Sequence, residues 1–205
     1  MEIIYEDKNV LVLDKPAGIV ADSIPLRAHR LDKDTSGILL TAKDKKSLEF
    51  LQKEFQERKV DKKYTALIVG ELQEPGAIKT LLGRSPKDKR KQKAYLPTEP
   101  KGAKNLREAI TEYRVLKNFK GYTLIEAKPI TGRKHQIRAH MAHIHHPIAG
   151  DKLYAFKDAK IPNGLKRQFL HATYLKIKLP NDEIKEFESP LPKDLKNVLS
   201  QLEPL

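Results

Sequence analysis

Arg30-Leu31-Asp32-Lys33-Asp34 stands a few residues ahead of the apolar run Ile38-Leu39-Leu40. Charges at the entrance to a buried strand are costly to desolvate, so they need partners or a chemical task. If Arg30 to Asp34 is extended, alternation puts Arg30, Asp32 and Asp34 on one face. Three chemistries could use that face. Two carboxylates can act as acid and base on a glycosidic bond; two can hold a divalent metal for phosphoryl transfer; or one can be a nucleophile kept ionised by a neighbouring cation. A plain surface Asp-Lys-Asp turn uses none of them. The spacing alone leaves all four open.

Around this stretch the chain alternates strand-like and helix-like segments. Ile3-Ile4-Tyr5 and Val10-Leu11-Val12-Leu13 flank a polar turn and predict a hairpin, which Lys15-Pro16-Ala17-Gly18 ends. Ile38 to Ala42 reads as a buried strand. Asp44 is a fitting N-cap for a helix over about 45–58, with Leu48, Leu51 and Phe55 on one face. Tyr64 to Gly70 predicts another strand. Two more are predicted over 109–116 and 122–130, around a turn at 118–121, then a helix over about 134–143. Strands over 170–179 and 183–188 and a helix over 193–202 close the chain. These elements predict an α+β fold: a mixed, mostly antiparallel sheet with flanking helices, in one domain over 1–205.

At 205 residues the chain can bury one sizeable core or two small ones. It has no cysteine, which excludes a disulfide framework, a thiol nucleophile and a cysteine-built zinc site. Neither a signal peptide nor a membrane-spanning run is recognised, and the cytoplasm is the expected compartment. Forty Lys+Arg against 27 Asp+Glu leave a net charge of +13, for which nucleic acid is the usual partner. Six of the ten residues from Arg84 to Lys93 are basic. They begin a predicted basic loop or hairpin arm over about 84–108, in which Lys87, Lys89, Arg90, Lys91 and Lys93 are expected to meet phosphates. Aromatics make up 6% and Trp is absent, which argues against a single-strand platform paved with stacking rings.

A second polar concentration is Thr131-Gly132-Arg133-Lys134-His135-Gln136-Ile137-Arg138, running into His140, His143, His145 and His146. On a helix Ile137, Met141 and Ile144 form the apolar stripe and Arg138 lies at its edge. There it can reach a buried carboxylate or simply snorkel. The histidines lack the acidic spacing of a zinc motif, so no metal is expected.

His29-Arg30-Leu31-Asp32-Lys33-Asp34-Thr35-Ser36-Gly37 resembles the signature of the RluA-type pseudouridine synthases, which modify ribosomal and transfer RNA. The resemblance extends in family order through Lys15-Pro16-Ala17-Gly18, Lys63-Tyr64-Thr65-Ala66, Thr131 to His140, His146 to Asp151 and Leu170-His171-Ala172. It implies that Asp32 is the nucleophile, attacking the ribose anomeric carbon or carbon 6 of a uracil. Tyr64 would stack on the base and help remove the carbon-5 proton, and Arg138 would pair with Asp32. Arg30 would replace the flipped base or hold its phosphate, and Asp34 would be non-catalytic. His29, Thr35, Arg133, His135 and Gln136 would complete substrate binding. The resemblance implies no metal, no organic cofactor and a structured ribosomal or transfer RNA substrate; apart from it, no membrane partner and a monomer are expected.

Two departures from the family pattern stand out. Only Ile19 to Ala28 link the Lys15-Pro16 turn to His29, where the family has a longer segment. No RNA-binding module of the S4 type is recognised ahead of Ile3, so the RNA is expected to be found with the core and the basic arm.

Overall fold

The computed structural model describes residues 1–99 and 105–205. Of the predicted arm, residues 100–104 therefore lie outside the described residues. The strands are β1 (Glu2–Glu6), β2 (Val10–Lys15), β3 (Ser36–Ala42), β4 (Asp61–Val69), β5 (Gly76–Arg84), β6 (Gln92–Tyr95), β7 (Arg107–Phe119), β8 (Tyr122–Pro129), β9 (Leu170–Lys178) and β10 (Ile184–Glu188). The helices are α1 (Lys45–Gln56), α2 (Gln136–His143) and α3 (Lys193–Ser200). The chain forms two compact units, Met1–Tyr64 with Leu170–Pro192, and Thr65–Phe169 with Lys193–Leu205. The predicted mixed, mostly antiparallel α+β architecture is observed.

In the first unit β1, β2 and β3 pair antiparallel in chain order. β3 then runs parallel to β9 over Ser36↔His171 and Gly37↔Ala172, and β10 returns antiparallel on β9. Every residue of β3 is buried, as its continuous apolar run requires. Val10, Val12, Ile38, Leu40, Leu51, Leu175 and Ile177 fill the core, with Leu48 and Phe55 of α1 packed at its margin. Asp44 caps α1 as predicted, accepting from the Ser47 N–H at 2.8 Å and the Ser47 hydroxyl at 2.7 Å. The helix stops at Gln56 rather than 58, because Arg58 turns to a left-handed φ of 59°.

The second unit contains the part of the fold that periodicity did not reveal. β5 was not foreseen as a strand; it pairs antiparallel with β7, and β6 folds back on it from Leu81↔Tyr95 to Arg84↔Gln92. The basic segment is therefore a hairpin arm at its start, not a structureless loop. β7 also runs into the predicted turn and ends at the buried Phe119, with a register shift between Val115 and Lys117. α2 begins at Gln136 rather than 134, since His135 ahead of it has a left-handed φ of 55°. Ala139 on α2 packs with Leu82, Ala94, Ala109 and Tyr154. α3 buries Leu195 and Val198 in this unit.

Candidate active site

The Asp32 loop is built from two sequence segments locked together. Lys15 ends β2 with its side chain wholly inside the fold, 0% exposed. Its ammonium donates to the carbonyls of Pro16 at 2.8 Å, Ile19 at 3.1 Å and Lys33 at 3.2 Å. The Gly18 N–H donates to the same Lys33 carbonyl at 2.9 Å, and the Thr35 N–H donates to the Asp32 carbonyl at 3.1 Å. A charged donor bonded to main-chain carbonyls fixes a loop more firmly than neutral pairs do. By sequence Lys15 reads only as part of a turn. The available signal was a lysine directly after an apolar strand, where a solvated cation is out of place.

The loop then enters β3 through Gly37, which has a φ of 110°. A Cβ there would overlap the backbone of Ala172 on β9, so only glycine permits this close parallel approach. The seam is braced by a chain of buried polar groups. Ser36 Oγ lies 2.8 Å from His171 Nδ1, and His171 Nε2 lies 3.2 Å from the Ser189 hydroxyl. That hydroxyl donates to Asp14 Oδ2 at 2.8 Å. By sequence His171 reads only as a strand residue.

Within this frame Leu31 points inward, Asp32 is half-buried and Arg30 is exposed. Lys33 and Asp34 form an exposed turn, so Asp34 does not share the face expected from a fully extended segment. Tyr64 packs half-buried against the floor made by Ile24, Leu31, Leu39 and Ala172. Burial, and secondly the charge of Asp32, push the Tyr64 phenol far above its usual range. Asp32 and Tyr64 are thus close enough for the carboxylate's charge to act on the phenol.

His29 has a different surrounding from the one expected of a substrate contact. Its Nε2 accepts from the Leu40 N–H at 3.1 Å, and its ring stacks on Phe55 at 4.7 Å between centroids. Desolvation and the nearby Lys62 lower its pKa to about 3, so it is a neutral acceptor at physiological pH. Thr35 is buried, at 2% exposure.

Arg138 lies in the second unit and does not snorkel. Its Nε and Nη2 donate to the two carboxylate oxygens of Asp151 at 2.6 and 2.8 Å, and its guanidinium lies over the Tyr154 ring at 5.0 Å. Asp151 Oδ1 also accepts from the N–H groups of Leu153 and Tyr154. The residues around Asp151 belonged to a recognised segment, but nothing in their spacing named the carboxylate as the arginine's holder.

Gln136 is buried and its amide is fully engaged. Its Oε1 accepts from the Thr131 hydroxyl at 2.6 Å and the Arg133 N–H at 2.9 Å, and its Nε2 donates to the Ile110 carbonyl at 2.9 Å. It pins the turn that carries Arg133, whose Nε donates to the Glu108 carbonyl. His135 Nδ1 lies 3.2 Å from the Tyr154 hydroxyl. Two further histidines have structural surroundings too. His140 is fully buried between the hydroxyls of Thr80 and Thr111, and His146 Nδ1 faces the Val69 carbonyl. Among the described residues no three His, Asp or Glu side chains gather as metal ligands.

In the arm, Arg90 is paired with Asp88 at 2.8 Å, while Lys93 lies over the Tyr95 ring and Lys91 over that of Tyr154. Lys87 and Lys89 are exposed.

Residues 22–143 match the family described as RNA pseudouridylate synthase. The chain belongs to that family. It is 35% identical over 93% of its length to the ribosomal large subunit pseudouridine synthase D of Borreliella burgdorferi, of which the match covers 65%. It is 41% identical over 85% of its length to an uncharacterized RNA pseudouridine synthase of Chloroflexus aurantiacus, of which 52% is covered. The chain thus spans between half and two thirds of these relatives. The solved structure of human RNA pseudouridylate synthase domain containing 1 superposes with a TM-score of 0.85 at 28% identity, covering 99% of this chain and 88% of that one. Among the described residues no helix is long and apolar enough to cross a membrane.

Proposed function

We propose that this chain isomerises uridine to pseudouridine in structured RNA, ribosomal RNA foremost, with Asp32 as the nucleophile. One observation carries the reading: a half-buried Asp32 beside Tyr64, on a loop fixed by the buried Lys15 ammonium. The relative's ribosomal name and the net charge of +13 support the choice of RNA.

The reaction needs no co-reactant. The bond from the ribose anomeric carbon to nitrogen 1 breaks, a bond to carbon 5 forms, carbon 5 loses its proton and nitrogen 1 gains one. The uridine must first leave its stack, at a few kcal/mol. Tyr64 returns part of this by stacking, on the order of 1–3 kcal/mol. Because Tyr64 stays a neutral phenol, any proton it takes from carbon 5 is balanced by passing its own hydroxyl proton on. The Asp32 carboxylate, released once the bond to carbon 5 has formed, is the neighbouring acceptor; it gives that proton up to solvent, which supplies the one that nitrogen 1 gains.

Arg30, exposed at the rim, takes the flipped base's place or its phosphate, and Arg133 and His135 contact the RNA. His29, Thr35 and Gln136 are positioning residues in this reading, because their side chains are committed to the fold. Arg138 is assigned to catalysis by the family resemblance. The proposal includes a monomeric enzyme in the cytoplasm, working without metal or cofactor.

The test is a pseudouridine map of total RNA from cells with and without the gene. Loss of one or more sites, restored by the purified protein, supports the activity. An identical map, with no conversion of ribosomal or transfer RNA in vitro, refutes it.

A further inference from the structure

A cleft of about 570 Å³ opens in the second unit, lined by Leu82, Gly83, Arg84, Gln92, Asn105, Arg107, Gly132, Arg133 and Lys134. Its cations arrive from three separate segments: the end of β5, the start of β7 and the turn ahead of α2. The register sets them in place, since Leu82 pairs with Arg107 and Arg84 with Gln92, while Gln136 pins the turn. Only Leu82 among the lining residues is a large apolar one, so this is no pocket for an apolar organic ligand, which would need mostly apolar walls.

Among the described residues at least six of the chain's ten arginines have a carboxylate partner: Arg27 and Arg30 with Asp22, Arg90 with Asp88, Arg114 with Glu126, Arg138 with Asp151 and Arg167 with Asp194. Arg84, Arg107 and Lys134 have none among the described residues, and all three are exposed. Like charges gathered in a concave site repel one another and focus a positive potential. Such a cleft is complementary to an anion with several oxygens.

We propose that this cleft is a phosphodiester-binding subsite for the RNA strand flanking the target uridine, and that the base of the hairpin, more than its tip, grips the backbone. This rests on the RNA-modifying reading above. The tip cations contribute less because Arg90, Lys91 and Lys93 are already engaged with Asp88, Tyr154 and Tyr95.

The test compares two variants of the full chain, R84A/R107A/K134A and K87S/K89S/K91S, by fluorescence anisotropy with a short RNA hairpin carrying loop uridines. The cleft variant is expected to bind at least tenfold more weakly at low salt. Its plot of log K against log salt should be shallower by about 2, from three lost phosphate contacts at 0.7–0.9 each. The tip variant should change less in both. Thermal melting at low salt should leave the cleft variant as stable as the parent or more so, because repulsion is relieved.

Unchanged affinity and salt slope in a folded cleft variant would overturn the proposal. So would a tip variant that loses more than the cleft variant. Competition separates the possible sources of phosphate: ATP or inorganic phosphate displacing the parent from RNA at micromolar levels would assign the cleft to a free anion instead. If the parent makes no pseudouridine yet shows the cleft-dependent slope, the activity reading fails and the subsite stands. If the parent is active and the cleft variant binds normally, only the subsite fails.

Discussion

Lys15 Nζ lies 3.2 Å from the main-chain carbonyl of Lys33, so a buried ammonium holds the residue next to Asp32. Two segments that look independent along the chain are one mechanical unit: the strand-ending lysine and the loop of charges fifteen or more residues later. A candidate nucleophile needs a fixed position more than it needs tight substrate binding. Here that position is supplied from behind the loop.

Lys15→Met removes three charge-assisted hydrogen bonds and leaves their carbonyls short of a donor. The expected cost is about 2–4 kcal/mol of stability, read as a lowered thermal midpoint. Turnover should fall more than tenfold while RNA affinity changes little. A variant with parental turnover would show that the loop is fixed by other means.

Much of this arrangement was legible in the sequence, and the exceptions have physical reasons. Asp32, Tyr64 and the Asp44 cap follow local rules, of charge beside an apolar run, of a strand mouth and of helix capping. Asp34, read as a loop residue, lies in an exposed turn. The misses are long-range. Lys15, His171 and Asp151 gain their meaning from partners far along the chain or from burial, which spacing does not encode. β5 alternates weakly because Leu81 and Leu82 are adjacent and glycines stand at 76 and 83, and α2 starts late because His135 takes a left-handed conformation.

Gly37→Ala should not be tolerated. The added Cβ meets the Ala172 backbone, which cannot give way without breaking the β3–β9 seam. The expected outcome is loss of soluble protein or a large drop in thermal midpoint. Parental stability would mean that the two strands can separate locally.

The phenol of Tyr64 divides into a ring and a hydroxyl. Tyr64→Phe should keep RNA binding within about twofold and lose turnover, whereas Tyr64→Ala should lose binding as well, by the roughly 1–3 kcal/mol of one stacked base. Because burial and Asp32 both raise the phenol's pKa, turnover should show no tyrosine titration between about pH 7 and 9. Full activity of the Phe variant would reduce Tyr64 to a stacking surface.

Buried His140 sets a pH limit on stability. Desolvation, and secondly the charge of His143, lower its pKa from 6.5 to about 4. The unfolded chain therefore binds a proton that the folded one refuses between those values, and stability must fall as pH drops through that window. The loss reaches on the order of 2–3 kcal/mol near pH 4. His140→Gln should flatten the dependence of the thermal midpoint on pH over that range, and an unchanged slope would assign it to other groups.

The central claim is that Asp32 attacks the substrate while Asp34 is a turn residue. Paired Asp32→Asn and Asp34→Asn variants, assayed for pseudouridine formation and for RNA affinity on the same transcript, test it most directly. Asp32→Asn should abolish product while keeping affinity within about tenfold, a change of 1.4 kcal/mol, and Asp34→Asn should remain active. Product from Asp32→Asn, or its loss in Asp34→Asn alone, would contradict the account.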